Sequence, residues 1–201
     1  MQKTPLISAL SIIGTIMKDP GRERSEVLER LAQGTVILEK SLDVRLIPAK
    51  GANLAYAIRG ARDKNDVAAV QGGIINENGK PHAAGPCTFG GDEDAARLVL
   101  TAMKFDPTMR SAATLRFSKN TLMVIESLLL DCASFDRAQE PPGISTMDWG
   151  VASCCKDGVP DVCYDCGGTG KEAIIRILGE NPIGVTNNII MISNRIINVE
   201  L

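Results

Sequence analysis

Residues 46–75, LIPAKGANLAYAIRGARDKNDVAAVQGGII, decide the class of the fold. LIP, LAYAI, DVAAV and GGII are apolar runs too short for helices, and glycine, asparagine and aspartate bound them, so they read as strands. Gly51-Ala52-Asn53 and, just downstream, Asn78-Gly79 supply turn material. Upstream the texture is helical. Ser25 is placed as an N-cap, and Val27, Leu31, Thr35, Leu38 and Leu42 recur on one face with Glu29, Arg30 and Glu39 on the other. Asp19-Pro20-Gly21 reads as a break that separates this helix from the apolar stretch Pro5 to Met17.

Farther downstream, Asp92 caps a helix expected to run through Lys104 and to end at Asp106-Pro107. A helix over 120–130, a short strand at CASFD, a helix over 146–155 and an extended VPDVCYD follow. Lys171 to Leu178 reads as a helix behind a glycine-rich loop, and NNIIMISNRIINV fits a helix or two strands. Strands alternating with helices indicate an α/β layered domain over residues 45–201, preceded by a helical appendage over 1–44.

The chain has 201 residues, one full domain and a short extension at roughly 150 residues per domain. Such a domain buries about 70% of the surface its unfolded chain exposes, so it needs no staples. The six cysteines read as reduced thiols of a cytoplasmic protein. The thirteen-residue stretch from Pro5 to Met17 is too short to span a bilayer and lacks a cleavage signal. With 22 Lys+Arg against 24 Asp+Glu and only 3% aromatics, the chain has neither the basic field nor the stacking faces that nucleic acid requires.

The chemistry-bearing segment that stands out is Asp165-Cys166-Gly167-Gly168-Thr169-Gly170-Lys171-Glu172. Glycines followed by a helix N-terminus would offer backbone N–H groups to a phosphate. Glu172, however, stands where a P-loop carries Ser or Thr, so a tight turn explains the glycines equally well. Cys154, Cys155, Cys163 and Cys166 have no recognised metal spacing, and small buried hydrophobes are the simpler reading. His82 is the single histidine, placed at the surface, which excludes a site built from several histidines of one chain. Arg97, Arg110, Arg116 and Arg137 lie near acidic or glycine-rich breaks and suit bidentate phosphate recognition, though each alone is more often a solvated or structurally paired charge. Asp66, Asp136, Asp161 and Asp165 fit either Mg²⁺ bound through a pyrophosphate or ordinary turns and caps.

An ordered set of motifs then carries a resemblance. Ile47-Pro48, Gly51 to Ala57, Asp66 to Val70, Gly85-Pro86, Phe89-Gly90, Ala96 to Met103, Asp106-Pro107, Asp136-Arg137, Glu140-Pro141, Met147, Trp149-Gly150, Pro160-Asp161 and Gly170-Lys171-Glu172 together resemble the ThiN family. This is the archaeal-type thiamine phosphate synthase domain, often fused behind a hydroxymethylpyrimidine kinase. The resemblance covers about residues 45–180. It implies a three-layer α/β/α domain with a mixed sheet, similar to the class II aldolase/epimerase fold but without that fold's zinc-binding histidines. Active members join hydroxymethylpyrimidine pyrophosphate to a thiazole phosphate and release pyrophosphate. The resemblance therefore implies a ligand of the thiamine phosphate type, with Mg²⁺ entering through a pyrophosphate. By motif position, Asn53, Arg97, Arg110, Asp165, Gly167, Gly170, Lys171 and Glu172 are the expected ligand contacts.

Two departures stand out. Active members resemble one another in a Pro-Gly-Arg after the DVAAV strand and in a His within a Phe-Gly-Ala-Ser-Ser-His stretch. Here the arginine position is Gly73 and the histidine position is Asp94. Related domains lacking that pair occur as ligand-sensing halves of archaeal thiamine regulators, so the expectation is a binding domain without rapid turnover. The alternatives are an active synthase in which Arg97 or Lys80 restores the charge, and a structural partner whose Val27, Leu31, Leu38, Leu42 stripe docks on a kinase or forms a homodimer.

Overall fold

The computed structural model describes residues 20–199. Its helices are α1 (Pro20–Ser41), α2 (Glu93–Phe105), α3 (Lys119–Ser127), α4 (Thr146–Cys154) and α5 (Pro182–Val199). Its strands are β1 (Asn53–Ala57), β2 (Val67–Val70), β3 (Ile74–Glu77), β4 (Lys80–Ala83), β5 (Cys87–Phe89), β6 (Ser111–Arg116), β7 (Cys132–Ser134), β8 (Val162–Tyr164) and β9 (Ile174–Gly179). Seven strands form one mixed sheet in the order β5-β2-β1-β6-β9-β8-β7. All its neighbours are antiparallel except the pair β7–β8. β3 and β4 form a separate hairpin closed at Asn78-Gly79, both in the left-handed region that such a two-residue turn demands.

Helices cover both faces of the sheet, and the strands show it by alternation. Leu54 and Tyr56 of β1 join Ala113 and Leu115 of β6 in a core shared with α1 and α5. Ala55, Ala57 and Ala112 point the other way, into a second core with α2 and Val151 of α4. Ala95, Ala96 and Ala102 of α2 meet the alanines of β1 and β2, so small side chains on both surfaces let the helix lie close. Leu98 and Val99 add about 1.5–3 kcal/mol each by leaving water. Asp92 caps α2 as expected, its Oδ1 accepting from the Ala95 N–H at 2.7 Å.

The apolar stripe of α1 is spent inside the chain. Val27, Leu31, Leu38 and Leu42 are 4% exposed or less and pack into the core with Val185, Ile189 and Ile192 of α5, so they are not available to a second copy or a kinase. Ser25 is no N-cap: it lies within α1, and its hydroxyl donates to the Gly21 carbonyl at 3.0 Å. Pro20 and Gly21 belong to α1 rather than to a break, since proline is tolerated in a first helical turn. The helix expected within 5–17 lies outside the described residues.

Two further expectations are corrected. LIP is no strand: Val44–Leu46 form a single 3₁₀ turn capped by Asp43. Lys171 to Leu178 is no helix either, because β9 starts at Ile174 and pairs with both β6 and β8 in the middle of the sheet. A strand covered on both faces loses its alternation, and the short apolar run IIRIL then resembles a buried helix. The ambiguous C-terminal run is helix α5, which lies against α1 and the sheet.

Candidate functional site

A cleft of about 680 Å³ opens where β1 and β9 begin and β2, β6 and β8 end. Its floor follows from strand register. Asn53 pairs with Thr114, Thr114 with Arg176, and Arg176 with Cys163, a polar row across the face that carries α2 and α4. Asn53 and Thr114 line the cleft, with Lys50, Gly73, Asp92, Asp94, Arg137 and Met147 around it.

Asn53 holds one wall together. Its Oδ1 accepts from the N–H groups of Leu54 (2.9 Å) and Val70 (3.1 Å). Its Nδ2 donates to the Val70 carbonyl and to Asp92 Oδ2, both at 3.0 Å. One buried amide thus completes the backbone bonding of β2 and ties it to the cap of α2. Gly73 follows β2 with φ +75, and a Cβ there would stand 2.7 Å from the Ala52 carbonyl oxygen.

Around the opposite wall the charges are locked in a buried fork. Arg137 Nε and Nη2 donate to the two oxygens of Asp165 at 2.6 and 3.1 Å, and Arg176 Nη1 donates to the same carboxylate at 2.9 Å. Asp165 and Arg176 are completely buried, while the Arg137 side chain keeps 11% of its surface. Asp165 therefore does not face the cleft; it holds the arginine that does. Arg137 stands in the sequence as one of four arginines near a break and within the Asp136-Arg137 motif, but its pairing with a carboxylate 28 positions away has no local signal.

The loop expected to cradle phosphate is a turn. Gly168 and Lys171 exchange backbone hydrogen bonds at 3.0 and 2.9 Å, which consumes their N–H groups, and no helix follows. Gly167 is half-buried in this turn with φ +77, its N–H donating to Asp165 Oδ1 at 2.8 Å. Gly170, Lys171 and Glu172 do line the cleft. Lys171 Nζ lies 3.4 Å from Glu140, and Glu172 is engaged by Arg116 Nε at 3.1 Å and by the Ala49 N–H at 2.8 Å.

Arg97 and Arg110 stand elsewhere. Arg97 pairs with Glu93 and Asp148, each at 2.9 Å, beside a separate depression of about 420 Å³. Those partners raise its pKa, hydrogen bonding to Glu93 first. Arg110 is buried at the far end of β1, donating to the Ala57 carbonyl and lying 4.7 Å from the Tyr56 ring; burial lowers its pKa. Asp66, Asp136 and Asp161 accept backbone N–H groups of Arg62, Ala138 and Asp131, the turn and cap reading. His82 is exposed on β4 between Glu39 and Glu77.

The carboxylates at the cleft do not assemble a cation cage. Both oxygens of Asp92 and both of Glu172 are engaged, and no cluster of three metal-ligating side chains occurs among the described residues. The cysteines do not converge on one point: Cys154 and Cys163 touch at 2.7 Å, Cys155 packs in the α2 core, and Cys166 is exposed.

The profile of the thiamine-phosphate synthase ThiN family matches residues 30–191. The chain belongs to the ThiN family. Among its relatives, the bifunctional thiamine biosynthesis protein ThiDN of Methanocaldococcus jannaschii is 36% identical over 83% of this chain, which spans only 40% of that protein's length. The thiamine-phosphate synthase ThiN of Methanothermobacter thermautotrophicus is 29% identical over 70% of this chain and 77% of its own. The solved C-terminal domain of a phosphomethylpyrimidine kinase superposes with a TM-score of 0.81 at 33% identity, covering 85% of this chain and 100% of that one. An aldolase II superfamily protein from Pseudomonas syringae shares the fold alone, with a TM-score of 0.52 at 10% identity over 90% of this chain and 78% of that one. The ThiN domain described here is thus a mixed sheet with flanking helices of the class II aldolase type, and no described helix is long and apolar enough to cross a membrane.

Proposed function

We propose that this ThiN domain binds thiamine phosphate, its pyrophosphate ester or their precursors in the cleft without turning precursors over rapidly. The observation that carries the reading is that Gly73 and Asp94 line the cleft, at the positions where the family resemblance implies arginine and histidine in active members. Joining the two precursors expels pyrophosphate, and the departing charge needs donors already in place. Losing one such donor costs about 2.7–4 kcal/mol of barrier, on the order of a hundred- to a thousand-fold in rate. Here one donor is absent and the other position carries a carboxylate.

The polar floor and Arg137 support retained binding. The competing reading, an active synthase, is favoured by the cations that still line the cleft, Arg137, Lys171 and Lys50. Neither substitute expected from the sequence helps it, since Arg97 is paired outside the cleft and Lys80 is exposed on the β3–β4 hairpin. The purified 201-residue chain given hydroxymethylpyrimidine pyrophosphate, thiazole phosphate and Mg²⁺ decides between them. Binding of thiamine phosphate without its formation is expected. Formation at ordinary enzymatic rates contradicts the proposal.

A further inference from the structure

We infer that Arg137 anchors the ligand's phosphate, that Asp165 and Arg176 are its positioning residues, and that the ligand lies across the sheet with its ring end toward Asn53 and Asp92. This deepens the binding reading and rests on it.

Three observations converge. First, the fork to Asp165 occupies Nε and Nη2 of Arg137, leaving Nη1 with no partner among the described residues at the edge of the cleft. A guanidinium held by two parallel bonds is fixed in plane, so its remaining donors point in a set direction.

Second, the charge is not cancelled. Two guanidinium groups against one carboxylate leave one positive charge, and two of the three partners are sealed from water, where screening is weak. Arg176 is itself immobilised by Asp165 and by the Ile174 carbonyl at 3.1 Å, and its Nη2 is buried without a partner. Lys171 is half-exposed and already faces Glu140, and Lys50 is exposed, so both are the weaker anchors.

Third, the opposite wall carries the opposite sign. Asp92 and Asp94 line the cleft there, and Asn53 Nδ2 is turned toward Asp92. β1 and β8 are three strand spacings apart, roughly 14 Å at about 4.8 Å per neighbour. A molecule that is anionic at one end and cationic or amine-bearing at the other satisfies both walls in only one orientation.

Titration calorimetry on the full chain with thiamine phosphate, thiamine and inorganic pyrophosphate tests this, with Arg97→Gln as a control outside the cleft. Arg137→Ala is expected to weaken thiamine phosphate roughly 10- to 100-fold and to leave thiamine unchanged. Guanidinium chloride at low millimolar concentration is expected to restore thiamine phosphate binding in Arg137→Ala but not in Arg137→Ala/Asp165→Asn. Where the double variant does not fold, Arg137→Lys replaces it, with partial binding expected because the charge stays and the fork is lost. Undiminished thiamine phosphate binding by Arg137→Ala overturns the anchor and leaves the binding reading standing. Equal rescue with and without Asp165, or full binding by Arg137→Lys, overturns the positioning role. If the wild type binds no thiamine compound, the binding reading fails, and pyrophosphate decides the anchor: binding lost in Arg137→Ala upholds it, and no binding by wild type overturns it.

Discussion

Gly73 approaches Ala52 so closely that any Cβ on it would meet the Ala52 carbonyl oxygen at 2.7 Å. The backbone there also sits at φ +75, where L side chains are strained. The loop after β2 is therefore shaped around glycine and takes an arginine side chain only if it is reshaped. Gly73→Arg is expected to lose about 1–3 kcal/mol of stability in urea unfolding and to gain no synthase activity. Unchanged stability together with new activity would contradict this.

Asn53 bonds both the N–H and the carbonyl of Val70, so its side chain does the work of one rung of the β1–β2 ladder. Asn53→Ala leaves those buried groups unsatisfied and frees Asp92. We expect a loss of about 2–4 kcal/mol, read from the denaturation midpoint at constant slope. A shift under 1 kcal/mol would mean that water replaces the amide easily.

Arg176 is wholly buried, and its removal leaves Asp165 with Arg137 as its sole charged partner among the described residues. Arg176→Met is expected to destabilise the fold by about 3–5 kcal/mol, measured by chemical denaturation. Near-neutral behaviour would show that the second arginine is dispensable for keeping Asp165 buried.

Burial pushes the Cys132 and Cys155 thiols up to about 11 from an ordinary value of 9.0. Both hold their protons more tightly folded than unfolded, so the stability they contribute is complete below pH 9 and is lost as pH rises between about 9 and 11. Unfolding midpoints followed from pH 8 to 10.5 should fall, and Cys132→Ser/Cys155→Ser should flatten that fall. A double variant with the same alkaline slope would assign the effect to other groups.

The sequence made β1, β2, the cap at Asp92 and helices α2 to α4 readable, because turn residues and apolar spacing act locally. It also marked two residues whose placement the fold bears on directly, since Gly73 and Asp94 both line the cleft. Long-range pairing was not readable. Arg137 meets Asp165 only because β7 and β8 lie side by side, and Arg97 and Arg110, equally suited to phosphate by residue type, are occupied by Glu93, Asp148 and the Ala57 carbonyl. β9 resembles a helix in the sequence because burial on both faces erases the period that distinguishes a strand from a helix.

The most direct measurement is calorimetric titration of the 201-residue chain with thiamine phosphate, alongside a product assay on the same preparation. Saturable one-site binding with no thiamine phosphate formed from the two precursors is the expected result. Rapid product formation, or no heat of binding at millimolar ligand, would contradict the account.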